Sequence, residues 1–367
     1  MIVGVDASRL VGPRTGIGRS YEKLLSGWAA APALPADRID LFSPAPIEDV
    51  PDDPRQRLRV LPAAAPGLWW QLSALRRQAA SLDVLMAPYA LPPGYRGKAV
   101  VENHGILEGP DRAAWRELRA QARSRHFRYS ARRADAVIAI STVVRDDLVR
   151  WYGVPVERIH VIPYGLGAPF RPGDAEPNVV RGVLGTEAPF LIFVGKLSPR
   201  RHLRELLQAF DELAEGHGDL RLLVVGPNAW NIPVESLLAS TRAADRVVRV
   251  DHLDQPTLAA LYRSAVALVL PTTKEGWSMP IREALACGCP VVTTDGPWLD
   301  EDGSGSAVIR VPAPEPGLLA AGMRSVVDDE SVRADLRGRG LILAAGFPTW
   351  EDRALRVMDV LAQVAGR

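Results

Sequence analysis

Twice along the chain, short apolar runs alternate with helix-length segments, and that rhythm leaves few folds open. Ile2–Val5, Ile39–Phe42, Val84–Met86, Ala99–Val101 and Ala136–Ile140 read as buried strands of a first half, and Phe190–Val194, Leu220–Val225, Val247–Val250, Ala267–Leu270 and Val291–Thr293 repeat the pattern in a second. Strands separated by helices are joined by crossovers, so each half is expected to form a parallel α/β sheet with helices on both faces and ligands at the carboxyl ends of its strands. Glycine and proline thicken between Pro163 and Gly173, which reads as an interdomain linker. The expected domains are therefore residues 1–171 and 172–348. With 367 residues, 47% of them hydrophobic, the chain can fill two cores of ordinary size. After Pro348, Thr349 and Asp352 form a capping pair for a final helix with Ala354, Leu355, Met358, Leu361 and Val364 on one face.

The richest segment runs from Lys274 to Val292. Glu275 and Glu283 straddle the start of a helix in which Pro280 suits the first turn, Ser278 the N-cap and Gly288 the position just past the end. Free N–H groups at such a helix start favour phosphate oxygens, and the Glu275-Gly276 turn lets backbone approach a ligand. A sugar nucleotide fits this arrangement, with Glu275 facing a hexose hydroxyl and Glu283 accepting from ribose hydroxyls. The plainer alternative is a capped helix flanked by two solvated glutamates.

Only four of the 44 basic residues are lysines (Lys23, Lys98, Lys196 and Lys274), a bias typical of GC-rich bacterial coding sequence. Lys196 follows the strand Phe190–Val194 and a turn at Gly195, and Arg200 and Arg201 precede a helical pattern, so a strand-to-helix loop carries cations. In the first half, Gly16 and Gly18 permit close approach to a phosphate. As a dinucleotide fingerprint the segment fails, because Tyr21 holds the third glycine position and Asp40 lies inside a strand. His104 stands just beyond the strand Ala99–Val101, where the carboxyl end of a sheet would aim it at a ligand.

Together these segments resemble the retaining glycosyltransferases of family 4. The resemblance implies a GT-B architecture: two Rossmann-like domains facing a cleft, the first acceptor-binding, the second binding the nucleotide sugar, with the terminal helix 349–367 packed back on the first. It implies that Glu275 binds the donor sugar, that Glu283 binds the ribose, and that Gly276, Trp277, Ser278 and Met279 bring amides to sugar and diphosphate. Lys196 and Arg201 would hold the diphosphate and stabilise the negative charge building on it as it leaves, without a metal; Gly16 and Gly18 would lie near it and the acceptor, and His104 would contact the sugar. This sequence departs from the family pattern at Ser278 and His202, where glycine is usual, and at Gly105, where aspartate is. Trp69-Trp70-Gln71-Leu72 and Pro88-Tyr89-Ala90-Leu91-Pro92 resemble acceptor-side segments of mannosyl- and rhamnosyltransferases in the family.

The expected activity is transfer of a hexose from a nucleoside diphosphate sugar to an acceptor hydroxyl, on a glycan, a lipid-linked sugar or a small natural product, with retention and without metal or other cofactor. No side chain offers itself as a covalent nucleophile, so departure of the diphosphate and attack from the same face is preferred. A sugar phosphorylase or epimerase on the same fold, or a silent sugar-nucleotide-binding protein, stays open; a dinucleotide-dependent oxidoreductase is disfavoured by the broken fingerprint. A net charge of +1 argues against nucleic-acid binding. No run reaches the length of a membrane span and Ile2–Val5 is already a strand, so a soluble cytoplasmic protein is expected. Cys287 and Cys289 read as small buried residues, no histidine spacing suggests a metal site, and Asp300-Glu301-Asp302 reads as loop rather than metal ligand. Arg112, Arg116, Arg119 and Arg123 form a basic helical stripe, read as a solvated face with membrane-surface contact as its alternative. Ser141 reads as a helix cap.

Overall fold

In a computed structural model, which describes residues 1–12, 16–62, 70–105, 118–228 and 230–366, the chain forms two compact units. One comprises Met1–Gly165 with Pro348–Arg367, the other Leu166–Phe347. The division falls before the expected boundary at Arg171, because Phe170 is buried and its ring lies 6.2 Å from that of Tyr262 in the second unit.

The first unit is built on a parallel sheet of β1 (Ile2–Asp6), β2 (Arg38–Ser43), β3 (Gln56–Val60), β4 (Val84–Pro88), β5 (Ala99–Asn103), β6 (Ala136–Ala139) and β7 (Ile159–Val161), in the order β3-β2-β1-β4-β5-β6-β7. Sequence patterning missed β3 and β7. Both are edge strands with solvated faces, so Gln56-Arg57-Leu58-Arg59-Val60 and Ile159-His160-Val161 lack the apolar run that marks a central parallel strand. Helix α1 (Gly16–Ala30) opens at the expected glycines and lays Tyr21, Leu24, Leu25 and Trp28 on the core. Ser141 caps the helix Thr142–Asp147 by accepting from the Val144 N–H at 3.1 Å.

The final helix, Trp350–Ala365, joins this unit, opened by the Thr349–Asp352 capping box. It runs so close to α1 that a Cβ on Gly27 would come 2.6 Å from the Ala354 methyl, and Trp28 Nε1 donates to the Ala354 carbonyl at 2.8 Å. Its apolar stripe differs from the expected one: Leu355 is 44% exposed, whereas Arg353, Ala354, Val357, Met358 and Leu361 are buried. Leu355 lies about 100° around the helix from Ala354, off the buried face, and Arg353 can enter the core because Glu102 at the end of β5 receives its Nη2. Both side chains of that pair are fully buried, and Arg353 Nη1 also donates to the carbonyls of Ile162 and Pro163.

The second unit holds a parallel sheet of β8 (Phe190–Val194), β9 (Arg221–Val225), β10 (Val247–Val250), β11 (Ala267–Leu270), β12 (Val291–Thr294) and β13 (Ile309–Val311), ordered β10-β9-β8-β11-β12-β13. β13 was missed for the same reason as the other edge strands. The strand order reverses between β8 and β11, so the loops after these two strands diverge and leave the crevice where doubly wound sheets bind ligands. No helix among the described residues is long and apolar enough to cross a membrane. Arg112, Arg116 and the side chain of Arg119 lie outside the described residues, as does Trp69; Arg123 is exposed.

Replacing Arg353 with Met strands the buried Glu102 carboxylate, and is expected to lower stability by about 3–5 kcal/mol. Arg353→Met with Glu102→Leu should recover much of the loss. Urea denaturation checks both, and a single variant within about 1 kcal/mol of the parent would refute the importance of the pair.

Candidate functional site

The crevice of the second unit begins at Gly195. This residue has φ +151°, and Gly226 beside it has φ +147°; a Cβ on Gly226 would lie 2.0 Å from the Gly195 carbonyl oxygen, so glycine is required for the two loops to touch. Leu197 N–H then donates to the Pro227 carbonyl at 3.0 Å, fixing the loop after β8 against the loop after β9. Lys196 is exposed there. A short turn of 3-10 helix, Pro199–Arg201, presents the two arginines before the helix Leu203–Ala214 begins.

From the other side of the switch point, the loop after β11 delivers Glu275, which is 6% exposed. Arg200 Nη1 and Arg201 Nη2 each lie 3.0 Å from its Oε1, and Thr272 Oγ1 donates to the same oxygen at 2.9 Å. Thr273 N–H to the Arg200 carbonyl, at 3.1 Å, ties the loops through backbone as well. The structure thus brings together two residues that sequence reasoning had proposed separately, Arg201 and Glu275, and engages one oxygen of the carboxylate with arginine and threonine. Burial raises the Glu275 pKa, but Arg201, Arg200 and the Thr272 hydroxyl outweigh it and hold the carboxyl below its ordinary value. Arg201 shows the converse: burial lowers its pKa, only partly offset by Glu275. Its Nε and Nη1 are buried without a hydrogen-bond partner. Arg200 and Thr272 were not singled out from sequence, although Arg200 adjoins Arg201 and Thr272 follows a strand end, which were the available signals.

Gly276, Trp277, Ser278 and Met279 lead into the helix Met279–Ala286, which carries the buried Glu283. Ser278 occupies the N-cap position, but its side chain makes no capping bond; its φ is +54° and its Oγ is buried and unpartnered. His202, the other departure from glycine, has φ +48°. Both non-glycine residues therefore sit in the left-handed region, which is why glycine suits these positions. Trp277 is held under the Arg282 guanidinium, 4.4 Å from its ring centre. Arg282 in turn binds Asp302 through Nε at 2.9 Å and Nη2 at 3.0 Å, and Asp300 binds Arg310 Nη1 at 2.9 Å. The Asp300-Glu301-Asp302 run thus places both aspartates on arginines, and among the described residues no cluster of three or more His, Cys, Asp or Glu is arranged to hold a metal. Cys287 and Cys289 are free and buried, and burial pushes the Cys287 thiol up to about 12.

The remaining candidates lie in the first unit. Gly16 is exposed at the start of α1, with nothing within 4 Å of a Cβ placed on it, while Gly18 is buried in the same turn. His104 is not displayed as the sequence suggested: its side chain is 3% exposed, Nδ1 meets the Tyr164 hydroxyl, and its ring packs edge-on against Tyr89 at 5.3 Å. Burial lowers its pKa to about 4, against the pull of Glu102, so the imidazole is neutral near pH 7. Tyr164, within the segment read as linker, and Arg353 carried no functional signal in sequence.

Two parallel doubly wound units, the second with a cationic loop facing a buried glutamate across its switch point, define a GT-B glycosyltransferase. The model for glycosyltransferase family 4 matches residues 16–167, and that for glycosyl transferases group 1 matches residues 177–340. The chain belongs to this family. A D-inositol 3-phosphate glycosyltransferase of Xylanimonas cellulosilytica is 30% identical over 64% of this chain and 58% of its own length. D-inositol 3-phosphate glycosyltransferase 1 of Catenulispora acidiphila is 28% identical over 90% of this chain and 84% of its own. The fold is shared with Anabaena HepE, solved in complex with UDP-glucose, at a TM-score of 0.76 and 16% identity over 99% of each chain.

Because His104 has its folded pKa depressed below that of the unfolded chain, the unfolded state binds more protons between about pH 6.5 and 4. Stability should be fully present above that window and fall as pH drops through it, by up to about 3 kcal/mol from this residue. His104→Gln should flatten this slope whatever its effect at neutral pH. Urea midpoints at pH 7.5, 6 and 5 check this, and parallel profiles for parent and variant would disprove it.

Proposed function

We propose that the protein is a retaining, metal-independent hexosyltransferase of the cytoplasm, which moves a sugar from a nucleoside diphosphate to an acceptor hydroxyl. The observation that carries this reading is Arg201, a buried guanidinium at the switch point with Nε and Nη1 unpaired. A buried cation with two idle donors suits an anion, and phosphate oxygens suit the fork of a guanidinium. Lys196, exposed on the same loop, adds a second charge. As the bond from sugar to phosphate breaks, negative charge grows on the diphosphate, and these donors stabilise it more in the transition state than in the ground state. Glu275, held ionised, orients Arg201 and offers its carboxylate to the departing sugar; Glu283 takes the ribose hydroxyls. The acceptor attacks from the face the phosphate leaves, and the leaving phosphate takes its proton, so no covalent sugar intermediate is needed. The bound UDP-glucose of HepE supports a nucleotide-sugar donor, and the inositol phosphate glycosyltransferases support an acceptor hydroxyl.

Arg201→Ala is expected to lower kcat about 10²- to 10³-fold, the range for removing one donor to a developing anion. Turnover of parent enzyme, with product mass and anomeric configuration read by NMR, should be unchanged by chelator. Activity abolished by chelator and restored by magnesium or manganese would overturn metal independence, and an inverted anomer would overturn retention.

Glu283→Gln should weaken binding of the bare nucleoside diphosphate by about 1.5–3 kcal/mol. Glu275→Gln should reduce turnover more than that affinity. Equal effects on nucleotide affinity in calorimetry would refute this division of roles.

A further inference from the structure

The loop after β9 displays an aromatic side chain for which the packing gives no reason. Of the described tryptophans, Trp230 alone is exposed, at 42%. An indole is among the largest apolar surfaces a protein can bury, so one left in water beside a cationic loop suits a ligand. The loop is closed by its own side chain: Asn228 Nδ2 donates to the Ile232 carbonyl at 2.8 Å, and Asn228 Oδ1 accepts from the Ile232 N–H at 3.0 Å. Asn231 takes the left-handed turn, with φ +49°, that this closure requires. Trp230 stands between these ends. The base of the loop is Gly226-Pro227, the same two residues that touch Gly195 and Leu197 beside Lys196.

We propose that Trp230 is the stacking platform for the nucleobase of the donor. This rests on the transferase reading and deepens it. Lys196 and Arg201 mark the diphosphate on the loop after β8, and β9 is the next strand outward on one side. Among the described residues of the loops after β8 and β9, Trp230 is the exposed aromatic side chain, and the nucleobase is the part of such a donor that an aromatic face suits. Stacking accepts any base through its π-face, so this residue contributes affinity for the nucleoside more than choice among bases.

Calorimetry on the full chain with UDP, GDP and inorganic pyrophosphate, for parent, Trp230→Phe and Trp230→Ala, tests the proposal. The Ala variant should bind whichever nucleoside diphosphate the parent binds roughly 5- to 100-fold more weakly, Phe should recover most of that loss, and pyrophosphate affinity should be unchanged in both. Since pyrophosphate reports the phosphate half alone, its retention also shows that the variants are folded. Unchanged nucleotide affinity in Trp230→Ala, or an equal loss for pyrophosphate, would overturn stacking and leave the transferase reading standing. A parent that binds neither nucleotide would overturn both.

Discussion

The fully buried pair between Arg353 and Glu102 is the interaction on which the first unit depends. An arginine inside a core is tolerable only with a carboxylate and carbonyls around it, and Arg353 has Glu102, Ile162 and Pro163. That requirement fixes the register of the last helix against the first sheet. It also turns Leu355 outward and lays Ala354 on Gly27, so that the helix closes a core whose strands lie far away in sequence. A close approach at Gly165, where a Cβ would fall 2.4 Å from the Trp350 nitrogen, completes the fit at the point where the chain leaves the unit.

In the second unit the same physics serves a site. Glu275 and Arg201 compensate each other's burial, and the arginine keeps two nitrogens unpaired, so the pair stores hydrogen-bonding capacity for an anion. The loops that carry it are held by unusual backbone: glycines at 195 and 226, and Ser278 and His202 in a conformation that costs a side-chain-bearing residue about 1–2 kcal/mol. Such strain persists only where neighbours over-determine it, as the contacts across Leu197–Pro227 and Thr273–Arg200 do here. Asp302 belongs to this support, since Arg282 links it to the ring of Trp277.

Central strands, helix caps and the strand-to-helix loops were legible in the sequence because each is a local pattern. Apolar runs mark strands buried on both faces, Thr349 with Asp352 marks a helix start, and Pro280 with Gly288 marks the two ends of one helix. The edge strands β3, β7 and β13 were not legible, since their half-solvated sequences lack a continuous apolar run, whereas β10, also at an edge, was legible because three of its four residues are valine. The 274–292 segment carries the family 4 resemblance because its motif is contiguous along the chain.

By itself, the sequence determined two parallel α/β units and the stretches from which their ligand loops would come, because periodicity and turn chemistry are properties of neighbours along the chain. Only the tertiary structure decided which charges meet. Arg200, Arg201 and Thr272 converge on one oxygen of Glu275 across the reversal in strand order, Arg353 enters a core beside Glu102, and His104 is enclosed as a neutral imidazole rather than displayed. Each of these depends on desolvation and on partners distant in sequence, and neither quantity exists until the sheets have formed.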